Sequence, residues 1–215
     1  MIRDVSSNEL FTILILLGIV IIAVAKLVAP KRFEDFLFVI GDFKYLKIYS
    51  REQKFFDTFD ALLFINLIIS LSIFGFILYQ HTTGVKNIDA NLIFKLTIGI
   101  GSFILIKVLL ERLIGSLFEI DKLIDAYLFQ KISYKNYLGL ILLPLNALLL
   151  FSFKNSLNLV YIIIILILIV NIIGLITSFK SNESLIKNNF FYFILYLCAL
   201  EISPYIILYK VFIDR

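Results

Sequence analysis

Glu201 is the residue of this sequence whose type and position best suit chemistry, because it is an acid inside an apolar run. A helix that begins at Phe190 rises roughly 16 Å before it reaches Glu201, which is about half of a bilayer's hydrocarbon core. Pro204 follows within one turn and removes a backbone donor, which favours a kink. Ionisable groups at such depth are costly and commonly serve function. Glu201 is therefore a candidate proton- or cation-carrying carboxylate.

Other polar residues fall at comparable depths in other apolar runs. Helical rise places them roughly 6 to 14 Å from the side that is expected to face the cytoplasm. The candidate intramembrane polar site therefore comprises Glu201, Lys107, Asn66, Asn146, Asn171 and Ser102.

This set of residues has two interpretations. In the first, the residues line a polar cavity in which Lys107 or Arg112 is the counter-charge of Glu201. In the second, Asn, Ser and a Glu held neutral by burial bond across helices, each contact contributing about 1 kcal/mol. The second arrangement is common in membrane bundles that transport nothing.

The elements that must position these residues are long apolar segments. The chain has 215 residues, of which 61% are hydrophobic and 17% charged, with a mean hydropathy of +1.00. Soluble domains are less apolar and more highly charged. A spanning helix needs about 20 apolar residues, and six segments have nearly this length: 10–29, 61–80, 91–110, 137–153, 159–178 and 190–211. The sequence predicts an all-α polytopic bundle of about six spanning helices in a single domain, residues 1–215.

The first loop carries an amphipathic pattern of its own. Apolar and aromatic residues recur at helical spacing in this loop: Phe33, Phe36, Leu37, Ile40 and Phe43. The spacing predicts a helix in the membrane interface with its aromatic face in lipid. The same face would also suit packing onto the helix bundle. A similar pattern from Leu123 to Leu128 indicates a second such helix in the third loop.

The distribution of basic residues predicts the orientation. Twelve of the 20 Lys and Arg residues lie in loops one, three and five, whereas five lie in the termini and the even-numbered loops. Cytoplasmic loops carry the excess of Lys and Arg. The odd-numbered loops are therefore expected in the cytoplasm, with both termini on the opposite side.

Several function classes have no support in the sequence. There is one histidine and one cysteine, and the motifs of phosphate loops, zinc proteases and serine hydrolases are missing. We expect neither an enzyme nor a cofactor. Acidic residues balance the basic ones of the first loop, so nucleic-acid binding is not expected. The expected partners are the lipid bilayer and a membrane protein or a second copy of the chain.

The C-terminal stretch LYLCALEISPYIILYK, residues 195–210, resembles the signature of an uncharacterised integral membrane family of Bacteroidetes, a domain of unknown function. The stretch GLILLP, residues 139–144, is similar to the same family's pattern. Cys198, Glu201 and Pro204 match its signature. The resemblance implies a bacterial inner-membrane location and supplies no activity.

Two functional hypotheses follow. The protein is a non-enzymatic membrane subunit or scaffold that binds partner proteins, or it is a small transporter or channel with Glu201 in a polar cavity. Short outer loops and the lack of internal repeats favour the subunit. The midplane carboxylate beside a proline favours the transporter.

Overall fold

Helices form nearly all of the part of the chain that the structure describes. The structure is a computed structural model, and it describes residues 9–41, 44–49, 57–84, 90–153, 156–181 and Lys210. In chain order the helices are α1 (Glu9–Val28), α2 (Pro30–Leu37), α3 (Lys44–Tyr49), α4 (Thr58–Thr83), α5 (Ala90–Leu117), α6 (Asp121–Ala147) and α7 (Leu157–Ser181). A π-helical turn, Leu148–Ser152, extends α6. The predicted all-α class is confirmed.

Five helical segments are long and apolar enough to cross a membrane, namely Glu9–Val28, Thr58–Thr83, Ala90–Leu117, Leu123–Ser152 and Leu157–Thr177. The chain is therefore a multi-pass membrane protein with a helical bundle. The predicted sixth segment, 190–211, lies outside the described residues except for Lys210.

The fourth spanning segment belongs to a helix that begins much earlier than the predicted residue 137. α6 is continuous from Asp121, and it includes Leu123 and Leu128, which the sequence places in a separate interfacial helix. Both side chains are buried in a cluster that includes Ile124 and Tyr127. Residues that pack on a neighbouring helix show the same spacing as residues that face lipid, which explains the difference.

Pro144 lies inside α6 and has no backbone N–H to donate to the preceding turn. The helix continues through it, and the Leu148 N–H bonds to the carbonyls of Pro144 and Leu145. The helix then widens into the π-helical turn, where the Phe153 N–H bonds to the Leu148 carbonyl. Wider turns of this kind re-satisfy backbone groups near helix breakers. The proline therefore changes the helix locally without ending it.

The first loop folds into α2 and α3, and its aromatic residues pack inward. Phe36 is fully buried and contacts the rings of Tyr45 and Phe59 at centroid distances of 5.4 and 5.8 Å. Phe33 is also buried, 6.5 Å from the Phe59 ring. The aromatic face of α2 thus lies against the bundle and not in lipid, although Leu37 on the same helix stays exposed.

α4 is the centre of the bundle and packs against α1, α5 and α6, while α7 packs against α6. α4 and α6 run parallel, because Asp60 faces Asn136 and, further along, Ser70 faces Asn146. They approach closely at Gly139, where an added Cβ atom would lie 2.6 Å from the Cα atom of Leu67. Small residues allow helices in membranes to approach in this way.

Candidate functional site

Two hydrogen bonds join α4 to α6 inside the membrane. The Ser70 hydroxyl donates to the Gly139 carbonyl at 3.0 Å, and the Asn146 amide donates to the Ser70 carbonyl at 2.8 Å. All three residues are buried. Because lipid offers no competing partners, such bonds hold helices together. Asn146 therefore belongs to a helix–helix contact.

Asn66 lies fully buried one turn before Ser70, close to α1. Its Oδ1 is 3.2 Å from the place where a Cβ atom on Gly18 would lie, so glycine leaves room for the amide. Neither its Oδ1 nor its Nδ2 has a hydrogen-bond partner among the described residues. A water molecule or a solute group with both a donor and an acceptor would satisfy this amide.

Lys107 belongs to a buried charged group between α5 and α6. The Lys131 Nζ donates to Glu111 Oε1 at 2.6 Å, and the Lys107 Nζ lies 4.0 Å from the same oxygen. The Glu111 side chain is 0% exposed, and the two lysines are 6% and 10% exposed. Two cations around one carboxylate neutralise its charge, which a buried acid requires. This group holds a buried ion pair between α5 and α6.

Ser102 and Asn171 do not join either cluster. Ser102 lies on the exposed face of α5, and Asn171 lies on the exposed face of α7, where its Nδ2 donates to the Ile167 carbonyl of its own helix at 2.8 Å. Glu201 lies outside the described residues. Of the six predicted residues, Asn146 lies in the α4–α6 contact, Asn66 lies near α1 and Lys107 lies in the charged group, whereas Ser102 and Asn171 face outward.

The candidate site predicted from the sequence does not include Glu111 and Lys131, which the structure places beside Lys107. The sequence shows Glu111 four residues after Lys107, a spacing that pairs charges on one helix face. Lys131 carries no such signal, because its contact with Glu111 depends on how α5 and α6 are aligned.

A third polar cluster surrounds Arg32, at the membrane edge. Its guanidinium pairs with Asp57 and, at 2.6 Å, with Asp60, and its carbon atom lies 4.8 Å from the Phe59 ring centroid. These contacts tie α2 to the start of α4. Burial alone would lower the pKa of Arg32, but Tyr45, Asp60 and Asp57 together raise it above its ordinary value.

Tyr45 completes this cluster beneath α2. Its hydroxyl lies 3.4 Å from the Arg32 Nε, and its ring stacks on Phe129 at a centroid distance of 5.9 Å. Burial raises the pKa of the Tyr45 hydroxyl, and the Asp60 carboxylate raises it further, against the opposing effect of Arg32. The Tyr45 hydroxyl is therefore neutral and lies beside the charged side chains of Arg32 and Asp60. Such a cluster can hold the first loop in place.

Within the described segments, no group of three or more His, Cys, Asp or Glu residues is arranged to hold a metal ion. The described residues thus form helix contacts, a buried ion pair and an anchored loop.

The comparisons with known proteins give one match. The family described as Domain of unknown function (DUF4271) matches residues 11–212. No curated protein and no solved structure matches the chain. Because the matched range covers nearly the whole sequence and includes all of the described spanning helices but the first two residues of α1, the chain belongs to the DUF4271 family of domains of unknown function.

Proposed function

We propose that this protein is a non-enzymatic subunit or scaffold of a membrane protein assembly in the bacterial inner membrane. The observation that carries the proposal is the placement of polar side chains in the described spans. Ser70 and Asn146 bond one helix to another. Ser102 instead lies on an outer face, where a helix of another protein would bind it.

The outer face of α5 suits such a partner. Gly99 and Ser102 are exposed one turn apart near the middle of the span, and a Cβ atom on Gly99 would meet nothing within 4 Å. Small residues in the middle of a span let a second helix approach closely. Exposed Phe103 beside them adds apolar contact area.

A photo-crosslinking amino acid at Ser102 tests the proposal in native membranes. The matched control is Val20, which is exposed on α1 at a similar distance from its helix start. We expect an adduct with another protein from position 102 and none from position 20, and mass spectrometry of the adduct identifies the partner. If position 102 gives only lipid adducts, or reacts only within its own chain, the proposal is wrong.

A small transporter or channel is the second candidate, and the buried Lys107–Glu111–Lys131 group favours it. Ionisable side chains inside a bundle often mark ion or proton pathways. Glu201, which the sequence predicts near the middle of the membrane, would belong to the same pathway. Solute or proton flux in proteoliposomes that contain only this chain would separate the candidates, because a subunit without its assembly carries none.

A further inference from the structure

More than one line of largely exposed residues on α7 has the spacing of a coiled-coil seam, and one of these lines carries the polar residue Asn171. The residues of this line follow one another at alternating intervals of four and three along the helix: Leu157, Tyr161, Ile164, Leu168, Asn171 and Leu175. We name this line the α7 stripe. Ile164 is half-buried and the other five are exposed, with Leu168 at 55% and Leu175 at 39%. Helices whose apolar residues repeat in this way pack against each other through that seam.

Asn171 interrupts the α7 stripe with a polar group at membrane depth. It lies roughly 15 Å from the end of α7 at Ser181, and thus within the hydrocarbon region. Its amide has two N–H donors and an acceptor oxygen. The bond to Ile167 uses one donor. A polar side chain that faces hydrocarbon with donor and acceptor capacity to spare is costly, and a second helix that bonds it removes that cost.

We propose that the α7 stripe binds the α7 stripe of a second copy of this chain, with the two Asn171 side chains facing each other. All copies of the chain have the same distribution of Lys and Arg and therefore insert in the same orientation, so their α7 helices run parallel. The two-fold axis then places Asn171 opposite Asn171, and each Oδ1 accepts a hydrogen bond from the other copy's Nδ2. An amide is self-complementary, and a single Asn in such a seam fixes its register and favours two strands.

This inference deepens the proposed function by naming a partner for α7, and it uses a different helix from the α5 face. Failure at α7 with adducts retained at Ser102 would overturn this inference alone. Failure at Ser102 with dimers retained at α7 would overturn only the binding of another protein through α5.

Disulfide crosslinking of the full chain in native membranes tests the seam. The chain has one cysteine, so Cys198→Ser gives a background without thiols. Leu168→Cys and Leu175→Cys lie on the α7 stripe, whereas Ile169→Cys and Ile176→Cys are the matched controls, equally deep and exposed at 51% and 54%. We expect covalent dimers at 168 and 175 and not at 169 and 176. Equal crosslinking at all four positions, or none at any, would overturn the proposal.

Energy transfer between labelled copies of the chain in liposomes tests the role of Asn171. We expect Asn171→Leu to weaken dimerisation by roughly tenfold, since two interhelical hydrogen bonds are lost and lipid gives leucine no hydrophobic compensation. Asn171→Gln keeps a self-complementary amide and should retain most of the dimer. Unchanged dimerisation of Asn171→Leu contradicts the proposed pairing.

Discussion

Arg32 shows how one side chain can hold a loop at a membrane surface. It is only 12% exposed and pairs with two carboxylates of the α4 start, while its guanidinium covers the Phe59 and Tyr49 rings at 4.8 and 5.1 Å. Arginine suits this position because its planar group can bond two acids and stack on rings at once. Asp57 is 41% exposed, so the pair with the less exposed Asp60 contributes more.

Replacing Arg32 by alanine should therefore release the first loop. We expect Arg32→Ala to destabilise the protein by about 2 kcal/mol, since the carboxylate of Asp60 loses its charged partner. The stability of Arg32→Lys should lie between those of the original protein and Arg32→Ala, because a lysine keeps the charge but cannot bridge both acids. The midpoint of thermal unfolding in detergent measures the effect, and exposed Lys31→Ala is the control that should leave it unchanged. Equal midpoints for Arg32→Ala and Lys31→Ala would contradict the argument.

Burial of single residues could be predicted where an apolar run surrounds a polar residue. Asn66 and Asn146 were expected inside the bundle, and both are fully buried. The pairing of Lys131 with Glu111 could not be predicted, because 20 residues separate them and the alignment of α5 with α6 has no signal in one sequence. The outward orientation of Ser102 and Asn171 was missed for a related reason. Depth can be counted along a helix, but the direction in which a side chain points depends on the neighbouring helices.

At the level of helices, the sequence predicts the lengths of the apolar helices well, but it does not show which helices or loops pack against each other. An aromatic face such as that of Phe33 and Phe36 suits lipid and protein equally, so its pattern could not decide between them. The structure places both residues against Phe59 and Tyr45. The hydrophobic pattern of the sequence also does not predict the close contact of α4 with α6, since this contact depends on the missing side chain at Gly139.

The α4–α6 contact should be sensitive to one added methyl group. In Gly139→Ala the new Cβ atom would lie 2.6 Å from the Cα atom of Leu67 and 3.1 Å from its backbone nitrogen, so the helices must separate. Separation also lengthens the bond from Ser70 to the Gly139 carbonyl. We expect a loss of about 1 to 3 kcal/mol in the free energy of unfolding, which is typical of overpacking.

Gly75→Ala is the matched control for this substitution, because it lies on α4 and an added Cβ atom would meet nothing within 4 Å. It should be neutral or should stabilise the helix by up to about 1 kcal/mol, since alanine is the better helix former. Steric trapping or thermal unfolding in bicelles measures both variants. If the Gly139 variant were as stable as the Gly75 variant, α4 and α6 would not touch at this point.

For the whole molecule, the parallel course of α4 and α6 constrains the topology. A single span, α5, separates them in the chain, and both run from the end marked by Arg32, Asp60 and Asn136 toward the end beyond Asn146. Each of the three helices is also long and apolar enough for one full crossing. Their alternation places the loop that holds α2 and α3 on the same side as the turn between α5 and α6.

The excess of Lys and Arg in those loops predicts that this shared side is cytoplasmic. Single cysteines in a Cys198→Ser background test the orientation in spheroplasts with a membrane-impermeant thiol reagent. Glu34→Cys on α2 and Thr83→Cys at the far end of α4 are matched positions, since both side chains are exposed and lie outside the spans' apolar centres. We expect Thr83→Cys to react in spheroplasts and Glu34→Cys to react only after lysis. The reverse pattern would invert the orientation of every described span, while reaction of both positions before lysis would mean that α4 does not cross the membrane.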